Sequence, residues 1–180
     1  MDQFVVGIDV GGQTSKLGVV DARGTVLAQT VIRTDTYSDV APYIVELAEA
    51  VNKVIKEAGV EGKIRGVGVG APNGNYYTGA IESAPNLPWA HDKVEFAKLL
   101  SEAMNGLPVA LTNDANAAAV GEMTYGAARG MKNFIMITLG TGVGSGIVIN
   151  GEVVYGHDGF AGELGHTAAV HNNGRTCGCG

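Results

Sequence analysis

Cysteine is almost missing from this chain. Of its 180 residues only Cys177 and Cys179 carry thiols, both within the last four positions, so no disulfide framework organises the fold. Basic side chains are also scarce: 12 Lys and Arg stand against 18 Asp and Glu, giving a net charge of −6. No basic face is available to neutralise phosphates, which excludes a nucleic-acid scaffold. No uninterrupted apolar run reaches bilayer-spanning length, which argues against a membrane partner. The opening Met1-Asp2-Gln3 lacks the basic start and apolar core of a signal peptide. A soluble protein of the reducing cytoplasm is predicted. What the chain does have is 46% hydrophobic residues, enough for a core in one or two domains, and 28 glycines without a collagen-like period.

Phe4 to Asp9 is a short apolar run ending in an acid and reads as a buried strand. The glycine turn Gly11-Gly12-Gln13-Thr14 leads to a second strand, Lys16 to Asp21, and Ala22-Arg23-Gly24 to a third, Thr25 to Arg33. Strands joined by tight turns predict an antiparallel meander, with Asp9 and the glycine turn at one sheet end. A helix is expected from about Asp39 to Ala58, with Tyr43, Ile44, Leu47, Val51, Val54 and Ile55 on one stripe. Ser38 or Asp39 can cap its start and Gly59 can end it. Ile64 to Gly70 reads as a parallel strand covered on both faces, and Tyr76 to Trp89 as an irregular loop. A helix from about Asp92 to Met104, the strand Val109–Thr112 and an alanine-rich helix Ala115–Gly126 come next. After Gly130 the pattern restarts: strand Phe134–Thr138, a glycine turn, strand Ser145–Asn150, then an Asn150-Gly151 hairpin into Glu152–Tyr155.

This order is that of the ribonuclease-H-like half of an actin-type ATPase domain. It predicts an α/β fold with a first domain over 1–126 and the start of a second, incomplete one over 127–180. The two glycine turns, Asp9-Val-Gly-Gly-Gln-Thr14 and Gly140-Thr-Gly-Val-Gly144, offer converging backbone N–H groups that can wrap a phosphate. Each alone reads equally well as a hairpin turn. Neither carries the lysine of a P-loop, and neither opens a helix as a dinucleotide fingerprint does. Asp9, beside such phosphates, suits a water-mediated Mg²⁺ site. His166 followed by Cys177-Gly-Cys179 points to a zinc site one ligand short of four.

Four ordered motifs carry a resemblance. They are Gly7-Ile-Asp-Val-Gly-Gly12 with Lys16; Leu111-Thr-Asn-Asp-Ala-Asn-Ala-Ala-Ala119 with Gly121-Glu122; Leu139-Gly-Thr-Gly-Val-Gly-Ser-Gly146; and Gly162-Glu-Leu-Gly-His166 with Cys177-Gly-Cys-Gly180. Together they resemble the ROK family of sugar kinases and sugar-responsive repressors, and within it the bacterial glucokinases. The resemblance implies an actin-like fold that transfers the γ-phosphate of ATP to a hexose hydroxyl, most like glucose to glucose 6-phosphate, in a homo-oligomer (a dimer).

The resemblance makes Asp114 the catalytic base, where the residues alone also allow an ordinary helix cap, and assigns sugar contacts to Asn86, Asn113, Asp114, Glu163 and His166. It assigns ATP contacts to Asp9, Gly11, Gly12, Gln13, Thr14, Lys16, Gly140, Thr141 and Gly142. His166, Cys177 and Cys179 would hold structural Zn²⁺, with His166 linking metal to sugar, and His171 is a further candidate ligand. Gln13 stands where the family usually has Thr. The family pattern also continues past Gly180 with another cysteine and a sugar-binding glutamate, so these 180 residues alone are expected to be inactive and prone to self-association. The competing expectations are a kinase for another hexose, such as N-acetylglucosamine, mannose, fructose or allose, and a sugar-sensing repressor; the repressors carry a helix-turn-helix before the kinase-like part, whereas here the first strand begins almost at Met1.

Overall fold

The computed structural model describes residues 3–140, 142–170 and 173–176. Its first unit is a five-stranded sheet of order β3-β2-β1-β4-β8. β1 (Phe4–Val10), β2 (Thr14–Asp21) and β3 (Val26–Arg33) form the antiparallel meander, and β4 (Ile64–Ala71) runs parallel to β1. Helix α1 (Val40–Glu57) crosses between β3 and β4. Asp39 caps it by accepting from Ala41 N at 2.8 Å, and Gly59, at φ +65°, lies just past its end.

The apolar stripe of α1 buries Tyr43, Ile44, Leu47, Val51, Val54 and Ile55 against Val6, Ile8, Leu17, Val67 and Val69 of the sheet. Tyr43 stacks on Trp89 with ring centroids 4.7 Å apart, and Trp89 stacks in turn on Phe96 at 5.9 Å. The Tyr43 hydroxyl bonds to Ser15 Oγ at 2.7 Å, and Ser15 bonds on to Thr34 at 2.8 Å, so the buried phenol is satisfied.

Between β4 and β8 the chain is more regular than expected. β5 (Gly74–Asn75), β6 (Ala80–Glu82) and β7 (Lys93–Val94) form a small antiparallel sheet, of which β6 lies inside the stretch read as a loop and β7 inside the expected helix, and Asn75 and Ile81 are fully or almost fully buried. The next helix, α2 (Phe96–Ala103), therefore starts later than its composition implied, because Lys93 and Val94 pair with β6. β8 (Val109–Asn113) closes the sheet parallel to β4, and α3 (Asp114–Tyr125) leaves it directly. β9 (Phe134–Leu139), β10 (Val143–Ile149) and β11 (Glu152–Val153) make a second antiparallel sheet, with Asn150 and Gly151 in the left-handed region at its hairpin.

Helix α3 lies between the two sheets, and small residues let it. A Cβ on Gly70 of β4 would stand 3.1 Å from Ala117 Cβ; one on Gly144 of β10 would stand 3.1 Å from Ala115 Cβ. The expected cover on both faces of β4 is only partly present among the described residues. α3 covers the Gly70 end, while a methyl on Gly68, or on Gly7 of β1, would meet nothing within 4 Å. These glycines floor a trough of about 890 Å³ that also reaches Asp9 and Lys16. In the second sheet, the alternation of β9 leaves Ile135, Ile137 and Leu139 exposed on one face. No described helix is long and apolar enough to cross a membrane.

Candidate functional site

Three parallel strands, β1, β4 and β8, end at the same sheet edge, and the segment leaving each of them is polar or glycine-rich. Asp9 pairs with Gly70, and Gly70 with Thr112, so the Asp9 carboxylate lies two strands from the β8–α3 junction. The electrostatics report the same proximity. Burial and the neighbouring Asp114 carboxylate raise the Asp9 pKa above its usual value, with Lys16 pulling the other way. Lys16 is the cross-strand partner of Asp9 on β2.

The turn after β1 is fixed at its base by Gly11 N donating to Thr14 O at 3.1 Å, and the Gln13 carbonyl accepts from Thr34 N at 2.9 Å. Gly12 is in close contact with the loop carrying Asn86: a Cβ there would stand 2.9 Å from Asn86 O. Only glycine permits that approach, and it brings Asn86 beside the turn. The Gln13 side chain is exposed.

The β8–α3 junction differs in one respect from the sequence expectation. The cap of α3 is Asn113, whose Oδ1 accepts from Ala115 N at 2.9 Å; Asp114 is the first helical residue, its own Oδ1 accepting from the same N–H at 2.8 Å. Asp114 is exposed at the start of α3.

The second glycine turn joins β9 to β10, with Leu139 paired to Val143 and Gly140 N donating to Gly142 O at 3.0 Å. Gly140 and Gly142 are exposed, and Thr141 lies outside the described residues. Glu163 precedes a short 3-10 turn, Leu164–His166. Ser145 of β10 holds this turn by donating to Gly162 O and accepting from Leu164 N. Glu163 Oε2 and His166 Nε2 are 3.7 Å apart and both are solvent-accessible. Because β10 packs on α3, the Glu163–His166 turn and Asp114 belong to one continuous body of contacts.

His166 is the zinc candidate that the structure describes. Cys177, Cys179 and His171 lie outside the described residues, and no group of three metal-ligating side chains occurs among the described ones. Sequence reasoning missed a further cluster. Asn75, Tyr76 and Tyr77 of the first unit meet Tyr155, Gly156 and Asp158 of the second. The only sequence signal there was the Tyr76-Tyr77 pair at the start of the stretch read as loop.

Comparison with known proteins identifies the family. Residues 5–180 match the ROK family. The glucokinase of Halalkalibacterium halodurans is 39% identical over 181 residues, covering 99% of this chain and 54% of that protein. The crystal structure of a ROK family glucokinase from Streptomyces griseus in complex with glucose and AMPPNP superposes with a TM-score of 0.75 at 33% identity, over 93% of this chain and 51% of that one. The xylose repressor of Caldicellulosiruptor bescii is 31% identical over 178 residues, covering 98% of this chain and 44% of that protein. The chain thus spans about half the length of the curated relatives it matches.

Proposed function

Since the chain belongs to the ROK family, we propose that it carries the phosphate turn, the general base and part of the sugar site of an ATP-dependent hexose kinase. Glucose is the substrate we assign and glucose 6-phosphate the product. The observation that carries this is the meeting of Asp9, the Gly12 turn, Asn86 and Asp114 at one sheet edge. In this assignment residues 1–126 are an actin-like domain and 127–180 the start of a second, and the active protein is a homodimer.

The chemistry needs little covalent help from the protein. A sugar hydroxyl attacks the γ-phosphorus of ATP, the new O–P bond forms as the bridging P–O bond to ADP breaks, and the hydroxyl proton passes to the Asp114 carboxylate. Asn113, Glu163 and His166 orient the sugar; the glycine turns Gly11–Thr14 and Gly140–Gly142, with Lys16, hold the phosphates. The site fits Mg²⁺: Asp9 is an accessible hard donor, and the adjacent Asp114 carboxylate leaves the edge rich in negative charge. When bound through water to Asp9, the ion would neutralise phosphate charge. His166 with Cys177 and Cys179 would hold a structural Zn²⁺ that fixes the imidazole's orientation.

The test is a hexose panel with the full-length gene product, coupled to ADP release, for the native protein and for Asp114→Asn. Glucose-dependent ADP release is expected, and the variant should lose roughly 10²–10⁴-fold in kcat with sugar binding retained. A variant that keeps a tenth or more of the native rate overturns the role of Asp114. Absence of turnover together with a sugar-dependent shift of operator DNA would assign the chain to the regulators of the family instead.

A further inference from the structure

Three consecutive residues of the first unit fasten the chain just upstream of Glu163 and His166. Asn75 is 3% exposed, and its Nδ2 donates to Asp158 O at 2.8 Å, across 83 positions of sequence. Its Oδ1 accepts from Tyr77 N at 3.0 Å and from Thr78 N at 3.4 Å. The Tyr77 hydroxyl donates to Gly156 O at 2.9 Å, and the Tyr76 ring stacks on Tyr155 with centroids 4.2 Å apart and planes within 3°. Gly159, at φ +93°, lies so close that a Cβ there would stand 2.6 Å from Asn75 Oδ1. Tyr155, Gly156, Asp158 and Gly159 are therefore all gripped.

Both ends of this clasp lead to the site. From Gly159 only three residues intervene before Glu163, and Ala161 N donates back to Tyr155 O at 3.0 Å. On the other side, Gly74 abuts the Thr112 carbonyl so tightly that a Cβ on it would stand 2.5 Å away. Thr112 is followed directly by Asn113 and Asp114. One two-residue strand thus touches the strand that delivers the base and, through its next side chain, the loop that delivers the sugar-contact turn.

We propose that Asn75 is a positioning residue for the sugar site: it sets where the Phe160–His166 segment starts relative to the β8–α3 junction. This rests on the kinase assignment above. Asparagine is the side chain the place requires, because one planar group must donate to a carbonyl on one side and accept two N–H groups on the other. Aspartate has the same shape but would set a carboxylate oxygen against the Asp158 carbonyl. Alanine leaves that carbonyl and two backbone N–H groups unpaired in a buried place.

The experiment uses Asn75→Asp, with Tyr77→Phe as a second variant at the exposed rim. Amide exchange of the 180-residue chain should accelerate about tenfold or more at residues 156–163 in Asn75→Asp, and stay unchanged in β1 and β4, as loss of one buried hydrogen bond implies. In the full-length protein, KM for the sugar should rise about tenfold in Asn75→Asp and about two- to fivefold in Tyr77→Phe, with KM for ATP held constant. Unchanged exchange at 156–163, or an equal loss in both KM values and in thermal stability, overturns the proposal. A native protein that turns over sugar beside variants with unchanged sugar KM also overturns it, alone. A native protein that phosphorylates no hexose brings down the kinase assignment and the positioning role together. If Asn75→Asp does not fold, Tyr77→Phe decides by the same two readouts.

Discussion

Gly146→Ala is the substitution whose consequence is most directly fixed by geometry. Gly146 lies on β10 where it meets α3, and a methyl there would stand 2.8 Å from Ala119 Cβ, 2.9 Å from Ala115 O and 3.3 Å from Asn116 Cα. Ordinary carbon contacts lie near 3.5–4.0 Å, so about 1 Å must be found, and helix backbone cannot yield it as a flexible side chain would. Overpacking of this kind destabilises by about 1–3 kcal/mol, offset by roughly 0.5–1 kcal/mol because alanine restricts the unfolded chain more than glycine does. A net loss of about 1–2 kcal/mol is expected in urea titrations of the 180-residue chain. Gly68→Ala is the matched comparison: its methyl meets nothing within 4 Å, so the same chemical change should be neutral or mildly stabilising. Adding Ala119→Gly should recover part of the Gly146→Ala loss, appearing as a favourable coupling of about 0.5 kcal/mol or more, since Ala115 O remains in the way. Equal midpoint shifts for Gly146→Ala and Gly68→Ala, or strict additivity with Ala119→Gly, would refute close seating of α3 on β10.

Perturbations at three other residues have outcomes set by their contacts. Burial pushes the Tyr43 phenol up to about 12 from 10.0, so the neutral form is favoured in the folded state; its contribution is complete below pH 10 and is lost as pH rises toward 12, a fall of about 2–3 kcal/mol that pH-dependent denaturation should show in the native chain and not in Tyr43→Phe. Tyr43→Phe should itself destabilise at neutral pH by about 1–2 kcal/mol, because Ser15 Oγ loses a buried partner. Asp114→Asn should lower the Asp9 pKa toward its ordinary value, read by carboxyl-carbon NMR titration; an unmoved Asp9 would separate the two carboxylates. Asn113→Ala should destabilise by about 0.5 kcal/mol, the low end for a cap, because Asp114 Oδ1 still accepts from Ala115 N, and the double replacement of both side chains should exceed the sum of the single ones.

The parts of this fold that were legible in sequence are those whose signal is local. β1 to β4 announce themselves as apolar runs between glycine turns, and α1 by an apolar stripe with Asp39 at its start and Gly59 past its end. β5, β6 and β7 are two or three residues long, too short for alternation to register, so β6 read as loop and β7 as the start of a helix. The start of α2 was misjudged because Lys93 and Val94 satisfy their backbone in a sheet whose partner strand lies eleven residues away. Asp114 was legible as a charged residue at a strand–helix junction, yet which of two adjacent polar residues caps the helix depends on backbone angles: Asn113 is extended, at φ −60° and ψ 145°, and takes the cap. The Asn75 clasp was illegible for a stricter reason, since its partner is a carbonyl 83 residues away and a carbonyl has no residue identity.

The arrangement of α3 explains why the candidate base and the candidate sugar contacts are held together in so short a chain. A helix with large side chains can pack closely on one sheet; α3 must seat on two. Its Ala115, Ala117 and Ala119 point toward Gly144, Gly70 and Gly146 of opposite sheets, and the pairing of alanine with glycine brings backbone to backbone on both sides. Burial of methyl groups contributes little per residue, so the stability of this seam comes from close approach rather than from apolar area. Such a seam tolerates almost no added volume. It therefore fixes the start of α3, and with it Asp114, relative to β1 on one side and to the Ser145-held turn of Glu163 and His166 on the other. The exposed carboxylate needs no buried partner of its own, because the helix beneath it has no second position available.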